Sequence, residues 1–345
     1  MISGCYTALI TPFKEDSVDY KGLRSLIDFQ LENGITGILA VGTTGESPTL
    51  SWEEHNRVIE ETALKTKNKV LCIAGTGSNN TKESIAATGH AAEAGVDAVL
   101  LVDPYYNGPS SLEIRKEYIT PVASAFPNVE IIPYIIPGRT GAQLLPEDLA
   151  ILNKEFENIK TVKEATGNID NMKRTRECCG YDFMILSGDD SMTFQVMTEP
   201  LIKASGVISV LSNIAPGPVT KIVTLLKNGE VENARKILSA VEPLYELVTV
   251  ITEETTPYGK VTCRARNPLA VKTLMAILGM PAGGSRRPLG KMTKNGIEIV
   301  LTTARKVQKK NPEIFKPVED FFGVDVKTRL NNPANWKNLY YNSTF

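Results

Sequence analysis

The sequence contains few of the residues that most often bind metals or form cross-links. Its two histidines, His55 and His90, lie far apart in the chain, so no histidine metal site is indicated. The five cysteines are odd in number and scattered, and the adjacent Cys178 and Cys179 have neither metal-ligand nor redox-motif spacing. We therefore expect reduced thiols, no metal and a cytoplasmic protein.

An excess of one charge and long apolar runs are absent too. The formal net charge is -1, which gives no sign of binding to nucleic acid or another polyanion. No apolar run approaches the roughly 20 residues of a membrane-spanning helix, and the N-terminus lacks the basic segment of a signal peptide. The sequence thus predicts a globular protein with no nucleic-acid or membrane partner.

Short apolar, β-branched runs recur along the chain, with amphipathic helical stretches between them. Eight such runs cover residues 5–10, 37–41, 70–74, 98–102, 131–135, 159–162, 183–186 and 207–210. Near-continuous apolar runs are typical of parallel strands that are covered on both faces. The pattern predicts an α/β protein with a (β/α)₈ (TIM) barrel. A doubly wound sheet is the alternative, which we disfavour because no G-x-G-x-x-G follows the first run.

The repeating pattern ends near residue 229. We predict a catalytic barrel over residues 1–229 and a C-terminal helical domain over residues 230–345, with helices at 231–248, 267–278 and 293–308. Residues 252–266 break this pattern with charges and a Pro-Tyr-Gly turn. A tail from about residue 306 should pack on the barrel or at an interface, because it is rich in aromatic side chains: Phe321, Phe322, Trp336, Tyr340 and Tyr341.

Lys163 stands in a short run, Thr161 to Ala165, that otherwise resembles a buried strand. A buried lysine is costly unless it has a partner or does chemistry. Burial also lowers its pKa and leaves a neutral amine that can attack a carbonyl carbon to form a Schiff base. A salt-bridged or strand-end lysine is the alternative for such a run taken alone.

Other polar residues follow the predicted strands at the same end, where barrel enzymes place their active sites. They are Thr43, Thr44, Tyr105, Tyr106, Tyr134, Arg139, Gly188, Asp189 and Asp190. Arg139 suits a carboxylate substrate, although a surface salt bridge is the commoner fate of a loop arginine. Tyr134 and Thr44 are candidates for proton transfer, whereas core packing is the alternative for Tyr134. For Asp189 and Asp190 we prefer helix capping to metal binding.

With these residues in place, the chain resembles the pyruvate-dependent class I aldolase superfamily, and most closely the 4-hydroxy-tetrahydrodipicolinate (dihydrodipicolinate) synthase family. The resemblance covers about residues 4–305. The motifs that carry it are Gly-Thr-Thr-Gly-Glu-Ser from residue 42, Pro-Tyr-Tyr-Asn from 104, Pro-Gly-Arg-Thr from 137, Lys-Glu-Ala from 163 and Ser-Gly-Asp-Asp from 187. Compared with the family, residues 252–266 form an insertion.

The resemblance implies condensation of pyruvate with L-aspartate 4-semialdehyde, in lysine and diaminopimelate biosynthesis. Lys163 would carry the pyruvate imine, so no cofactor is expected. Thr44, Tyr134 and Tyr106 would relay protons, with Tyr106 supplied by the neighbouring subunit of a tight dimer within a homotetramer. Thr43 and Thr44 would hold the pyruvate carboxylate and Arg139 that of the semialdehyde. Gly188 and Ile208 would line the pocket.

An inhibitory site for L-lysine is also implied by the resemblance. It would comprise Ser47, Trp52, His55, Asn79, Glu83 and Tyr105. Two other functions stay open at this point. One is a pyruvate-dependent aldolase for a sugar acid or another acceptor, of the N-acetylneuraminate lyase or 2-keto-3-deoxy sugar-acid aldolase type. The other is a catalytically idle barrel that binds a small acid.

Overall fold

A computed structural model describes residues 2–343 of the chain. In chain order the strands are β1 (Gly4–Ala8), β2 (Phe13–Lys14), β3 (Ser17–Val18), β4 (Gly37–Ala40), β5 (Leu71–Gly75), β6 (Ala98–Val102), β7 (Glu130–Ile135), β8 (Thr161–Glu164), β9 (Met184–Ser187), β10 (Gly206–Ser209), β11 (Thr249–Thr256) and β12 (Gly259–Arg266). The eight predicted runs all form strands, with ends shifted by at most two residues.

The helices mostly alternate with these strands. They are α1 (Tyr20–Glu32), α2 (Trp52–Thr66), α3 (Thr81–Glu93), α4 (Ser111–Glu113), α5 (Thr120–Ala125), α6 (Pro137–Thr140), α7 (Pro146–Glu155), α8 (Ile169–Cys179), α9 (Thr193–Thr198), α10 (Pro216–Lys227), α11 (Val231–Tyr245), α12 (Leu269–Leu278), α13 (Lys294–Lys310), α14 (Lys316–Phe322) and α15 (Val326–Asn331). A π-helical segment, Ile114–Ile119, joins α4 to α5. No helix of residues 2–343 is long and apolar enough to cross a membrane.

Eight parallel strands close into a barrel in the order β1, β4, β5, β6, β7, β8, β9 and β10, with β10 pairing back onto β1. Alternate residues on each strand face opposite sides. Side chains such as Tyr6, Ile132, Tyr134 and Ile208 form a compact cluster separate from the larger core beneath the helices. The predicted (β/α)₈ barrel is therefore confirmed, and its interior is packed rather than hollow.

Strand β8 is held on both sides by parallel neighbours. Lys163 pairs in register with Tyr134 of β7 and with Leu186 of β9. Val162 belongs to the core beneath the helices, so the alternation of the strand turns Lys163 to the barrel interior. The apolar run ended at residue 162, and the observed strand continues to Glu164, so Lys163 lies in the strand as expected.

Helices α11, α12 and α13 occupy the three predicted C-terminal helical segments. Residues 252–266 break the helical pattern, as predicted, because they belong to the strands β11 and β12 and the turn between them. β11 and β12 pair antiparallel along their whole length, from Thr249 opposite Arg266 to Thr256 opposite Gly259. Buried and exposed residues alternate along β11, as they do in a strand that is covered on one face.

The tail packs onto the rest of the molecule, as predicted. The rings of Phe321 and Phe322 lie 5.4 and 5.2 Å from the ring of Phe29 on α1. Trp336 and Tyr340 are partly buried against the main core. Tyr341 is the exception, because 46% of its surface is exposed.

Candidate active site

Lys163 is buried at the carboxyl end of β8, with 5% of its surface exposed. Its Nζ lies 4.1 Å from the ring centroid of Tyr134, and it makes no ion pair with any carboxylate of the described residues. Burial lowers the pKa of Lys163 to about 7; the charge of Arg139 lowers it further, and the opposite charge of Asp190 acts against the shift. A large share of this amine is thus neutral near pH 7, as nucleophilic attack requires.

A cavity of about 390 Å³ opens above Lys163. Predicted site residues contribute most of its polar lining, namely Thr43, Thr44, Tyr134, Arg139, Asp189 and Asp190, and Gly188 lines it as well. Gly188 has no side chain to block the lysine. A Cβ at this position would lie 3.2 Å from Cε of Lys163 and 2.7 Å from Cβ of Ala165. Glycine is therefore needed here for Lys163 to reach the cavity.

Tyr134 lines the same cavity as Lys163 and Arg139. The side chain is 4% exposed. Burial raises the pKa of its phenol to about 12, while Arg139 and a hydrogen bond from Thr43 act against the shift. The phenol is protonated at neutral pH, so it can pass a proton along a chain of hydroxyls but is a poor base alone.

Asn267, which sequence reasoning missed, connects two predicted site residues. Its side-chain Nδ2 donates to Thr44 Oγ1 at 3.0 Å. Its backbone carbonyl oxygen accepts from Arg139 Nη2 at 3.2 Å. Asn267 follows β12 directly, so the hairpin carries it to the barrel mouth. A polar residue just before Pro268, at the end of a basic stretch, was the only signal in the sequence.

The carboxylates of Asp189 and Asp190 accept hydrogen bonds from backbone N–H groups. Asp190 Oδ2 accepts hydrogen bonds from the backbone N–H groups of Val210 and Leu211, at 2.9 and 3.0 Å. Asp189 Oδ1 accepts from the N–H of Ser191 at 2.8 Å. The preferred role of helix capping is therefore wrong: α9 has no side-chain cap, and the two carboxylates instead hold the turns before α9 and after β10.

Two predicted site residues lie outside this cavity. Ile208 is buried within the barrel cluster and does not line the cavity. Tyr106 is 86% exposed on the loop after β6. A single chain therefore brings together Lys163, Tyr134, Thr43, Thr44, Arg139 and Gly188, whereas the role of Tyr106 depends on a neighbouring subunit and stays a prediction.

A second cavity of about 420 Å³ shares Thr43, Tyr134, Ile136 and Arg139 with the first. Five of the residues predicted to bind L-lysine line it: Ser47, Trp52, His55, Glu83 and Tyr105. The sixth, Asn79, accepts a hydrogen bond from the N–H of Tyr105 at 2.7 Å. The predicted set therefore gathers at one place, next to the cavity of Lys163.

A closed (β/α)₈ barrel with a low-pKa lysine facing its mouth is the framework of an enzyme that works through a Schiff base. The chain belongs to the dihydrodipicolinate synthetase family, whose model matches residues 1–306. It is therefore a lyase of the synthase type, and the aldolase and idle-barrel alternatives lose support.

Individual relatives agree with this placement. The chain is 40% identical over 294 residues to the 4-hydroxy-tetrahydrodipicolinate synthase of Methanococcus maripaludis S2, covering 85% of this chain and 94% of the relative. It is 41% identical over 298 residues to the synthase of Syntrophus aciditrophicus, covering 86% and 96%.

Solved structures show the same likeness. The synthase from the methanotroph Methylacidiphilum fumariolicum SolV superposes with a TM-score of 0.83 at 36% identity, covering 93% of this chain and all of that one. The dihydrodipicolinate synthase of Cyanidioschyzon merolae with lysine bound superposes with a TM-score of 0.80 at 32% identity, covering 88% of this chain and 98% of that one.

Proposed function

We propose that this chain condenses pyruvate with L-aspartate 4-semialdehyde to give 4-hydroxy-tetrahydrodipicolinate, for lysine and diaminopimelate biosynthesis, without a metal or organic cofactor. One observation carries the proposal. Lys163 is buried, has no carboxylate partner and has a pKa near 7. It faces a cavity that also contains an arginine suited to an acidic substrate.

The first step forms a covalent bond between Lys163 and pyruvate. The neutral Nζ attacks the carbonyl carbon of pyruvate, and water leaves to give a protonated imine. The hydroxyls of Thr43 and Thr44, on the cavity wall, hold the carboxylate of pyruvate. The positive imine then withdraws electrons from the methyl carbon, which loses a proton and becomes an enamine.

Hydroxyl groups carry the protons of these steps. The phenol of Tyr134 stays protonated because burial raises its pKa to about 12, so it accepts one proton as it passes on another. Thr44 and the partner subunit's Tyr106 complete the relay toward solvent. The exposure of Tyr106 leaves it accessible to such a partner.

The second substrate enters beside Arg139. One N–H of the guanidinium donates to the backbone carbonyl of Asn267, and its other N–H groups can bind the carboxylate of the semialdehyde. The enamine carbon attacks the aldehyde carbon and forms the new carbon–carbon bond. The amine of the semialdehyde then displaces Nζ from the imine carbon, which closes the ring and frees Lys163.

Turnover and covalent trapping together test this function. We expect consumption of pyruvate and L-aspartate 4-semialdehyde in an assay coupled to a nicotinamide-dependent reductase, and a borohydride-reduced pyruvate adduct in the mass spectrum. Lys163→Ala should lose the adduct and at least about a thousandfold in turnover, with its fold intact. Lys160→Ala is the matched control, because Lys160 is exposed three residues earlier.

Each outcome has a separate meaning. Undiminished turnover in Lys163→Ala refutes the assignment of the nucleophile. An adduct on Lys163 without turnover shows that the imine chemistry is intact and that the acceptor is another one, such as a sugar acid.

The second cavity is proposed to bind L-lysine as a feedback inhibitor. Glu83 would pair with an ammonium group, and the indole of Trp52 would cover the aliphatic chain of the ligand. The related Cyanidioschyzon merolae structure with lysine bound supports this ligand. Turnover should fall as L-lysine is added, whereas a flat curve up to millimolar concentrations refutes the proposal.

We also propose a homotetramer built from tight dimers, in the cytoplasm. The exposure of Tyr106, which lies outside the cavity of its own chain, supports the dimer, and light scattering would measure the assembly. The five cysteines are all unpaired, as is usual in a reducing compartment.

A further inference from the structure

The hairpin of β11 and β12 is fixed by one of its faces. Val250, Thr252 and Glu254 of β11 are buried on that face. Glu254 accepts hydrogen bonds from Thr252 Oγ1 and from Asn295 Nδ2 of α13, both at 2.9 Å. The hairpin is thus attached to the helical part of the chain, and its orientation relative to the barrel is set.

The other face of the hairpin looks into the catalytic cavity. Thr249 pairs with Arg266 and Ile251 with Arg264, so these four side chains share one face. All four line the cavity that contains Lys163. The hairpin therefore adds two guanidinium groups to the barrel mouth, beside Arg139.

None of these three arginines makes an ion pair within residues 2–343. Arg266 Nη1 donates to the carbonyl of Gly138 at 3.3 Å and Arg139 Nη2 to that of Asn267, while Arg264 is exposed. By contrast, Arg115 forms an ion pair with Asp148 at 2.6 Å between nitrogen and oxygen, and Arg286 forms one with Glu54 at 2.5 Å. Most N–H donors of the three cavity arginines are thus available to a ligand.

The carboxylates of the cavity do not neutralise this charge. Asp190 is engaged by two backbone N–H groups, and Asp189 by Ser191. Both lie at the barrel end of the cavity, after β9, whereas Arg264 and Arg266 lie on the hairpin. The hairpin side of the cavity is therefore positively charged.

The three arginines line the cavity from two different parts of the fold: Arg139 lies on α6 after β7, and Arg264 and Arg266 lie on the hairpin. Arg264 and Arg266 are two residues apart on one strand, about 6.6 Å, so their long side chains can converge on one carboxylate. We propose that Arg264 and Arg266 form a second anion-binding position on the acceptor side of the cavity, so that a short dicarboxylate binds with one carboxylate at Arg139 and the other at the hairpin. The proposal rests on the function above only in taking Lys163 as the pyruvate side.

Titration calorimetry with glutarate and butyrate tests the second position. The protein is first reduced with borohydride in the presence of pyruvate, so that the pyruvate side is covalently filled and only the acceptor side is left to bind. Glutarate should bind at least about tenfold more tightly than butyrate, a difference of about 1.4 kcal/mol. In Arg264→Gln and Arg266→Gln the preference should fall to about threefold or less, with butyrate affinity unchanged.

Lys260→Gln is the matched control. Lys260 lies on the same face of β12 and carries the same charge, but it pairs with Glu253 at 3.4 Å and does not line the cavity. It should keep the full preference for glutarate. An equal loss in Lys260→Gln would mean only a diffuse positive surface, and would overturn the proposal. So would equal binding of glutarate and butyrate, or an undiminished preference in both arginine variants.

Failure of the proposed function gives a different result. If pyruvate leaves no adduct, the imine chemistry is wrong, and the same titrations on untreated protein still decide whether the arginines select a dicarboxylate. Thermal unfolding of each variant confirms that it is folded, as expected for changes to side chains that are exposed or partly exposed.

Discussion

Two buried lysines, Lys163 and Lys272, have opposite surroundings. Lys272, on α12, is 1% exposed, and its Nζ donates to the carbonyls of Thr11 and Gly284, each at 2.9 Å, and to Glu46 Oε1 at 2.6 Å. Lys163 is nearly as buried, yet it has an aromatic ring and an open cavity in place of a carboxylate.

The difference separates a structural cation from a nucleophile. Burial lowers the pKa of both amines, but the charge and hydrogen bond of Glu46 oppose that shift at Lys272. At Lys163 the opposing charge of Asp190 is partly offset by Arg139. A buried lysine that keeps its proton joins parts of the fold, whereas one that loses it can attack a carbonyl.

The pair of Lys272 and Glu46 also supports the active site. Glu46 ends the Gly-Thr-Thr-Gly-Glu loop, and its Oε2 accepts from the N–H of Arg286 at 2.9 Å. The ion pair thus connects the loop of Thr43 and Thr44 to the C-terminal helices.

Replacing each lysine by methionine gives the largest expected contrast. Lys272→Met leaves Glu46 buried without its cation, so we expect a loss of about 3–5 kcal/mol in the free energy of unfolding. Lys163→Met removes a buried amine that has no carboxylate partner, so stability should hold or rise while imine formation is abolished. Urea unfolding and pyruvate trapping measure the two effects.

A double variant sharpens this comparison. Adding Glu46→Gln to Lys272→Met removes the orphaned charge and should restore part of the lost stability. Equal stability of wild type and Lys272→Met would contradict the structural role of the pair. A large loss in Lys163→Met would mean that this lysine also holds the fold.

The sequence predicted most of the fold because each barrel strand carries its own signal. Buried parallel strands are apolar on both faces, so the eight runs could be recognised singly. The hairpin has no such signal. Only one face of its β11 strand is buried, and β12 has no fully buried residue, so the charges of Glu253, Lys260 and Arg264 indicated only a departure from the helical pattern around them.

The site was predictable where residues end neighbouring strands, and not where distant segments meet. Lys163, Tyr134 and Thr44 follow from strand ends and from the family motifs. Asn267 reaches Thr44 across 223 positions of sequence, and Lys272 reaches Glu46 across 226. Nothing local in either segment indicates these partners, because they depend on how the C-terminal helices pack on the barrel.

A smaller effect is the pH dependence of amine reactivity, which we expect to separate the two lysines within one sample. Because the folded pKa of Lys163 is about 7 instead of 10.5, its neutral fraction should fall about tenfold per pH unit below 7 and level off above it. A lysine in water, with a pKa near 10.4, keeps gaining reactivity through this range.

Brief labelling with acetic anhydride at a series of pH values, read by mass spectrometry, measures this for each lysine. Lys163 should reach half of its maximal reactivity near pH 7, since the cavity gives the reagent access. Lys272 should stay unlabelled while the protein is folded, because its Nζ is enclosed and fully engaged. If Lys163 instead titrated like a lysine in water, burial would not be what makes it a nucleophile, and the contrast between the two lysines would fail.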